Sequence, residues 1–399
     1  MRILGLLFVI GLAVIGAAWF FGGLVATGEM RRVGTVDWPA GLGTLASVEA
    51  RTRPQKTSDG ARRLVALAAP LGISFKTSAD TPEPVRKAIG EYVKAEQERS
   101  ESTIGEPPAE VLSYLRTHEA AIDTLGEHLL HGDPIEWEID VSKGVDAPIP
   151  NLLGHMQVAR LLTTRALLRA RKHDVRAGDD LHAAWRLTQT LQARPELISQ
   201  LIALAMSRMV NAAAWKLPES ATAWLDEMRK VDHRRLLLGG YQYDTWLMWR
   251  HGEESTQGAI WTIARPHLRW SVADMTEHQR RIAAEVAATT ACAFDGEAFS
   301  RHVTESIPRW NTFAKIATPD IGSVWQRAFR AAAEREATMN AVRIAKDQPI
   351  VAKSVCSDGA WRFENDRLTF SLDLPKSNVN ETVMPLSLAI PARATRRST

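Results

Sequence analysis

Between Tyr241 and Glu254 the sequence YQYDTWLMWRHGEE gathers Tyr241, Tyr243, Asp244, Trp246, Trp249, Arg250, His251, Glu253 and Glu254, the densest mixture of aromatic and ionisable side chains in the chain. Two arrangements suit such a run. In one, the indoles stack a sugar or peptide while Asp244, His251 or a glutamate exchanges a proton, as an envelope hydrolase acting on a polymer would require. In the other, the aromatic face packs inward and the polar residues mark a helix exit at Gly252. The second is preferred, because the spacing specifies neither a nucleophile nor an oxyanion donor. Tyr243, Asp244, Trp246, Trp249, His251 and Glu253 stand as candidate binding residues, and no catalytic residue is assigned.

Other chemistry is thin. His118-Glu119 opens like the zinc-protease motif, but the second histidine of that motif belongs at position 122, which is Ile. His128 and His131, followed by Asp133, have the spacing of a metal pair, yet two nearby histidines among eleven are an ordinary coincidence at an exposed helix end. Gly-x-Ser-x-Gly, a P-loop and a dinucleotide glycine motif are all missing. We expect no metal and no cofactor. Cys292 and Cys356 fit one disulfide in an oxidising compartment and equally two buried thiols.

The elements that must position these residues begin with composition. With 45% hydrophobic and 24% charged residues, the chain reads as an ordinary folded protein. Lys and Arg number 49 against 46 Asp and Glu, an excess too small over 399 residues to imply a nucleic-acid partner. The basic runs Arg165–Arg176 and Arg393–Arg397 read as a solvated helix face and a frayed tail. Thirteen tryptophans, seven of them from Trp185 to Trp270, are read chiefly as core residues that each carry one donor to satisfy.

Ile3 to Ala26 carries no charge, and as a helix it would be about 36 Å long, enough to cross a bilayer core of roughly 30 Å. A secretory signal is the competing reading, with Arg2 as its basic start and Gly16-Ala17-Ala18 as a cleavage site. The apolar run continues past that site through Trp19, Phe20, Phe21, Leu24 and Val25, which favours an uncleaved anchor. No later stretch reads as a second span, so the body lies on one side of the membrane. Arg2 on one flank nearly balances Arg31 and Arg32 on the other; the non-cytoplasmic side is chosen because long domains translocate largely regardless of charge.

From there the expected organisation is an anchor over 1–27, a loop-like stalk over 28–60, a first helical unit over 61–150, a main helical body over 151–350 and a small β tail over 351–399. In the first unit, one long helix starts at Pro107-Pro108 and carries His118 in its buried seam. Gly132–Pro150 is a connection with a short strand at Trp137–Val141, and Asn151 caps the next helix. Leu152–His173, Asp180–Ala193 and Glu196–Leu217 read as three helices, the last apolar on nearly every face and so wrapped by its neighbours. Two helices follow over Pro218–Arg250, the second capped by Asp232, then others over Asp274–Thr290, Glu297–Ile307 and Asp320–Lys346. Gly359–Glu364, Leu368–Leu374 and Met384–Ile390 are short strands separated by turns at Asn365-Asp366 and Lys376–Asn380. The tail is expected to pack on the helical body.

The run from Ala159 to Met206, with its arginine-rich helix, acidic turn and Leu197-Ile198-Ser199-Gln200-Leu201, resembles the central block of a group of single-anchor bacterial membrane proteins. The resemblance extends loosely to the anchor, to Asp37-Trp38-Pro39 and to the tail. It implies a helical-hairpin body behind one membrane helix, and it implies no activity, cofactor or catalytic residue. The expectation is therefore an all-α protein, a multi-helix bundle or irregular helical-hairpin array with an N-terminal transmembrane helix and a small C-terminal antiparallel β segment. Its expected role is that of a membrane-anchored envelope scaffold or interaction module, held by residues 3–26, with another envelope protein as partner.

Overall fold

The apolar N-terminal run forms the first part of one 34-residue helix, α1 (Arg2–Thr35), in a computed structural model that describes residues 2–75, 82–217, 223–254, 259–318 and 320–390. Ile15, Phe20 and Phe21 are each more than half exposed, whereas Ala26, Met30 and Val33 are buried. The helix therefore has an uncovered apolar portion compatible with a membrane anchor and a covered portion that belongs to the body. This corrects the loop-like stalk. Beyond α1 a two-stranded ribbon, β1 (Asp37–Trp38) paired antiparallel with β2 (Gly43–Thr44), leads into α2 (Val48–Arg51). Trp38, Leu42, Leu45 and Val48 in this segment are buried in the body's core. Their spacing of 4, 3 and 3 is interrupted to the eye by Gly41 and Gly43, which take the positive φ values that fold the ribbon back on itself.

The next elements are α3 (Asp59–Ala68), α4 (Glu83–Glu98), α5 (Ala109–Thr117) and α6 (Glu119–His131). The long helix expected from Pro107-Pro108 is divided at His118, whose ψ of 12° departs from helical geometry. His118 is half-buried rather than set in the seam, with its Nδ1 2.9 Å from the Tyr114 carbonyl. Around Trp137–Val141 the chain makes a single antiparallel bridge, Gln55 to Ile139, and no longer strand.

Three helices follow, α7 (Leu152–Arg171), α8 (Ala177–Gln192) and α9 (Leu197–Ala214), joined by short turns. The Asn151 side chain caps α7 by accepting from the amides of Leu153 and Gly154. The reading of Arg165–Arg176 as a solvated face fails for two of its members. Arg165 and Arg169 are buried, and both bond Asp180 of α8 and Asp123 of α6, with Arg165 Nη1 to Asp123 Oδ1 at 2.7 Å and Arg169 Nη1 to Asp180 Oδ1 at 2.9 Å. Arg393–Arg397 lies outside the described residues. By length and composition α9 also qualifies as a membrane span, contrary to the reading that none follows the first, but 78% of it is buried within the body. It is the wall between two cores. Its Met206, Met209 and Val210 face a cluster with Leu125, Leu162 and Trp185, while its Leu197, Leu204 and Ala212 face another with Tyr241, Trp246 and Trp325.

The chain continues through α10 (Ala223–Lys230), α11 (His233–Glu254), α12 (Ala259–Ala288), α13 (Gly296–Ser306), α14 (Thr312–Ala317) and α15 (Ile321–Ala345). Asp232 caps α11 through the Arg235 amide, and Asp320 caps α15 through Ser323. Helix α12 starts well before Asp274 and carries Pro266 within it, beside Gly23 of α1. That proline hides the helix from a reading that treats proline as a boundary. On the other face of the body, α13 and α15 cross so closely that Gly322 leaves no room for a Cβ against the Gly296 carbonyl and the Ser300 hydroxyl. Gly322→Ala is expected to destabilise the protein by about 1–3 kcal/mol through overpacking, read as a lowered urea midpoint beside an unchanged helical circular-dichroism spectrum.

The tail forms a three-stranded antiparallel sheet of β3 (Trp361–Glu364), β4 (Arg367–Phe370) and β5 (Ser387–Ala389), in the order β3-β4-β5. Asn365 and Asp366 both adopt positive φ, the geometry of a tight two-residue hairpin. The sheet lies on α15, where the Trp361 indole donates to Glu336 Oε2 at 2.9 Å. Cys292, after α12, is joined to Cys356, before β3, by a disulfide with a Cα–Cα distance of 5.2 Å, which resolves the two readings of the cysteine pair.

Candidate functional site

Helix α11 places the aromatic and ionisable run, and it sends its members in different directions. Tyr241 and Trp246 are fully buried, with the Tyr241 ring 6.1 Å from Trp38 and 6.5 Å from Trp325, centroid to centroid. Trp249 holds α1: its indole donates to the Met30 carbonyl at 3.0 Å and its ring lies over Gly34. Neither Tyr241 nor Trp246 offers a free face for a ligand, and Trp249 is half-buried against α1. His251 is exposed. It follows Asp244 by seven residues, about 10 Å along the helix axis, so the two do not share a proton-transfer site. The side chain of Glu253 lies outside the described residues.

Tyr243 and Asp244 remain, beside the start of α9. Asp244 Oδ1 accepts from the Leu197 amide at 3.4 Å, and burial, reinforced by the Glu196 carboxylate, pushes its carboxyl up to about 7. Burial, with Glu196 and Asp244 adding to it, pushes the Tyr243 phenol up to about 12, so it stays protonated at neutral pH. Glu196 is pinned by Arg194 at 2.6 Å and by the Ser199 hydroxyl at 3.0 Å. A cavity of about 560 Å³ runs alongside and is lined by Tyr243, Gln242, Arg51, Arg194 and Arg235, but Asp244 is not in its wall. Asp244 can exchange a proton near neutrality; the geometry gives it no nucleophile to serve.

The shift has a consequence for stability. The folded value of about 7 lies above the unfolded value of about 3.9, so between those two pH values the native state holds a proton that the unfolded chain has lost. This group's contribution therefore falls as pH rises from 4 to 7. His155 and His233 act in the opposite sense, since burial holds them neutral, at about 4 and about 3. Asp244→Asn is thus best read as a difference from the parent: no gain at pH 4 and a gain of about 1–3 kcal/mol at pH 8, measured by urea unfolding at both values.

The two histidines with metal-like spacing do not converge. His128 Nε2 sits 2.8 Å from the Gly60 carbonyl, while His131 is exposed beside Glu127. Asp358 lies close to Cys292 and Cys356, but both sulfurs are consumed in the disulfide, and the carboxylate accepts from the Cys292 and Ala293 amides at 2.8 and 3.0 Å.

Reading the sequence misses the charge inside the core. Arg208 is the only charged residue of α9, and it reaches Glu334 of α15 through two hydrogen bonds of 2.7 Å and Glu381 of the tail at 2.5 Å. Glu334 also accepts from Arg330 at 3.2 Å and from the Met384 amide at 3.1 Å. Beyond α9, Lys216 reaches Glu96 of α4 at 2.8 Å. A lone arginine on an otherwise apolar helix is the signal that was present, because a buried cation demands an acid. Arg208 also lines a second cavity, of about 320 Å³, between α4, α7, α9, α15 and the loop before β5. Compared with known proteins, the chain matches no family model, no curated protein and no solved structure.

Proposed function

We propose that the chain is a single-anchor envelope protein whose helical body serves as a rigid interaction scaffold held at the membrane surface. The observation that carries this reading is the continuity of α1. The same helix that exposes Ile10 to Val25 enters the body, where Trp249 grips it at Met30 and Arg269 donates to Thr27 Oγ1 at 2.7 Å. A body locked to its anchor this way is presented in one orientation, which suits a platform for another envelope protein. The Cys292–Cys356 bond supports the non-cytoplasmic side, since disulfides persist in oxidising compartments. The dispersal of the α11 run supports a scaffold over a hydrolase: Trp246 and Trp249 are used for packing and His251 stands apart. Purification from solubilised membranes after cross-linking in intact cells tests the proposal. A second envelope protein in fixed ratio is the expected result; polymer hydrolysis that Asp244→Asn abolishes, with no such protein present, would overturn it.

A further inference from the structure

Every fully buried arginine and lysine among the described residues is ion-paired: Arg165, Arg169, Arg194, Arg208, Lys216 and Arg330 each meet a carboxylate. Arg160 of α7, a less buried arginine, has no such partner among the described residues. It is half-buried in the wall of the 320 Å³ cavity, and among the described residues its guanidinium has neither a carboxylate nor a carbonyl to bond. Burial lowers its pKa and no acid opposes the shift. Lys94 of α4 and Arg327 of α15 line the same cavity without a carboxylate partner, although Arg327 Nε donates to the Ser377 hydroxyl at 2.8 Å. Four cations thus face the space, counting Arg208, against Glu381 as the one acid in the wall. Glu381 is already committed through Oε1 to Arg208 and through Oε2 to the Ser377 amide.

The wall also carries apolar Val93, Met156, Leu201 and Leu204, beside the neutral polar side chains of Gln97, Asn378, Asn380 and Thr382. A half-buried arginine without a counter-ion keeps its donors free for an anion, and a planar guanidinium fork that shares a wall with two more cations matches a doubly charged oxyanion. The size falls within the range of small-ligand pockets. We propose that this cavity binds a phosphate monoester carrying a small apolar group, with Arg160 as the principal anion ligand and Lys94 and Arg327 beside it. The ligand arrives from the aqueous phase: α1 packs mainly on α12, with smaller contacts to the 45–47 turn and α11, none of which lines the cavity.

Calorimetry on the full-length protein in detergent, with phenyl phosphate as the probe, tests the site. We expect saturable binding that is weakened at least tenfold by Arg160→Met and several-fold by Lys94→Gln, and left unchanged by Arg62→Gln, an exposed arginine paired locally with Asp59. Because Arg160 gives up no hydrogen bond, Arg160→Met should melt no lower than the parent when free of ligand, which separates loss of the site from loss of the fold. Absence of saturable binding at millimolar probe overturns the proposal, as does equal binding by Arg160→Met or equal weakening by Arg62→Gln. Benzoate binding as tightly as phenyl phosphate would overturn the phosphate class, and inorganic phosphate binding as tightly would overturn the apolar subsite.

Discussion

Glu334→Gln is expected to be among the most damaging single substitutions in the body, at about 3–5 kcal/mol. Glu334 has no exposed surface and joins three elements at once: Arg208 of α9, Arg330 of α15 and the Met384 amide in the tail. The Glu334 and Glu381 carboxylates together raise the Arg208 pKa against its burial. Glutamine keeps the shape and one acceptor, but it removes the charge that compensates two buried guanidinium groups, and Glu381 alone cannot serve both. Glu381 also accepts from the Ser377 amide, and so is not free to move toward Arg330. The check is a urea midpoint for Glu334→Gln beside the triple replacement Arg208→Met, Glu334→Leu, Arg330→Met. The triple variant should recover much of the loss, because well-packed apolar groups can replace a buried ionic cluster. A single variant as stable as the parent would mean that the cluster contributes little to the join between α9, α15 and the tail.

Removing the disulfide is the second large effect. Cys292 and Cys356 are 64 residues apart, so the bond closes a long loop that contains α13, α14 and α15. In the chain-entropy view such a closure stabilises by about 4 kcal/mol, within a usual range of about 2–4. Both cysteines are buried, which leaves little access for a reductant to the folded protein. Replacing both by serine is expected to lower the urea midpoint accordingly, and to make the parent under reducing conditions behave like the double variant only after unfolding. Equal midpoints for the parent and the double variant would remove the disulfide from the account of stability.

The legible parts of this chain were those with local causes. Asn151 and Asp232 cap helices because their side chains reach amides two or three residues ahead, and that geometry is written in neighbouring residues. The wrapping of α9 follows from apolar residues on every side, and the Asn365-Asp366 hairpin from residues that tolerate positive φ. The misses have non-local causes. Arg165 and Arg169 look solvated until Asp123, some forty residues earlier, and Asp180 are placed against them. The segment from Gly28 to Val48 looks like a stalk because its apolar side chains are buried by helices far along the chain. The α11 run illustrates both. Its composition and the inward packing of its aromatic face are legible locally, but nothing in neighbouring residues assigns Trp249 to α1 or Asp244 to the start of α9. The cavity proposed for a phosphate monoester is invisible in the sequence for the same reason, since its four cations come from four separate helices.

The proposed role depends on α1 residing in lipid while its last turns stay clasped by the body. Alkaline extraction of cell membranes, followed by immunodetection of the full-length chain in pellet and supernatant, tests this most directly. Unprocessed protein retained in the washed pellet is the expected result; unprocessed protein released into the supernatant would contradict the residence of α1 in lipid.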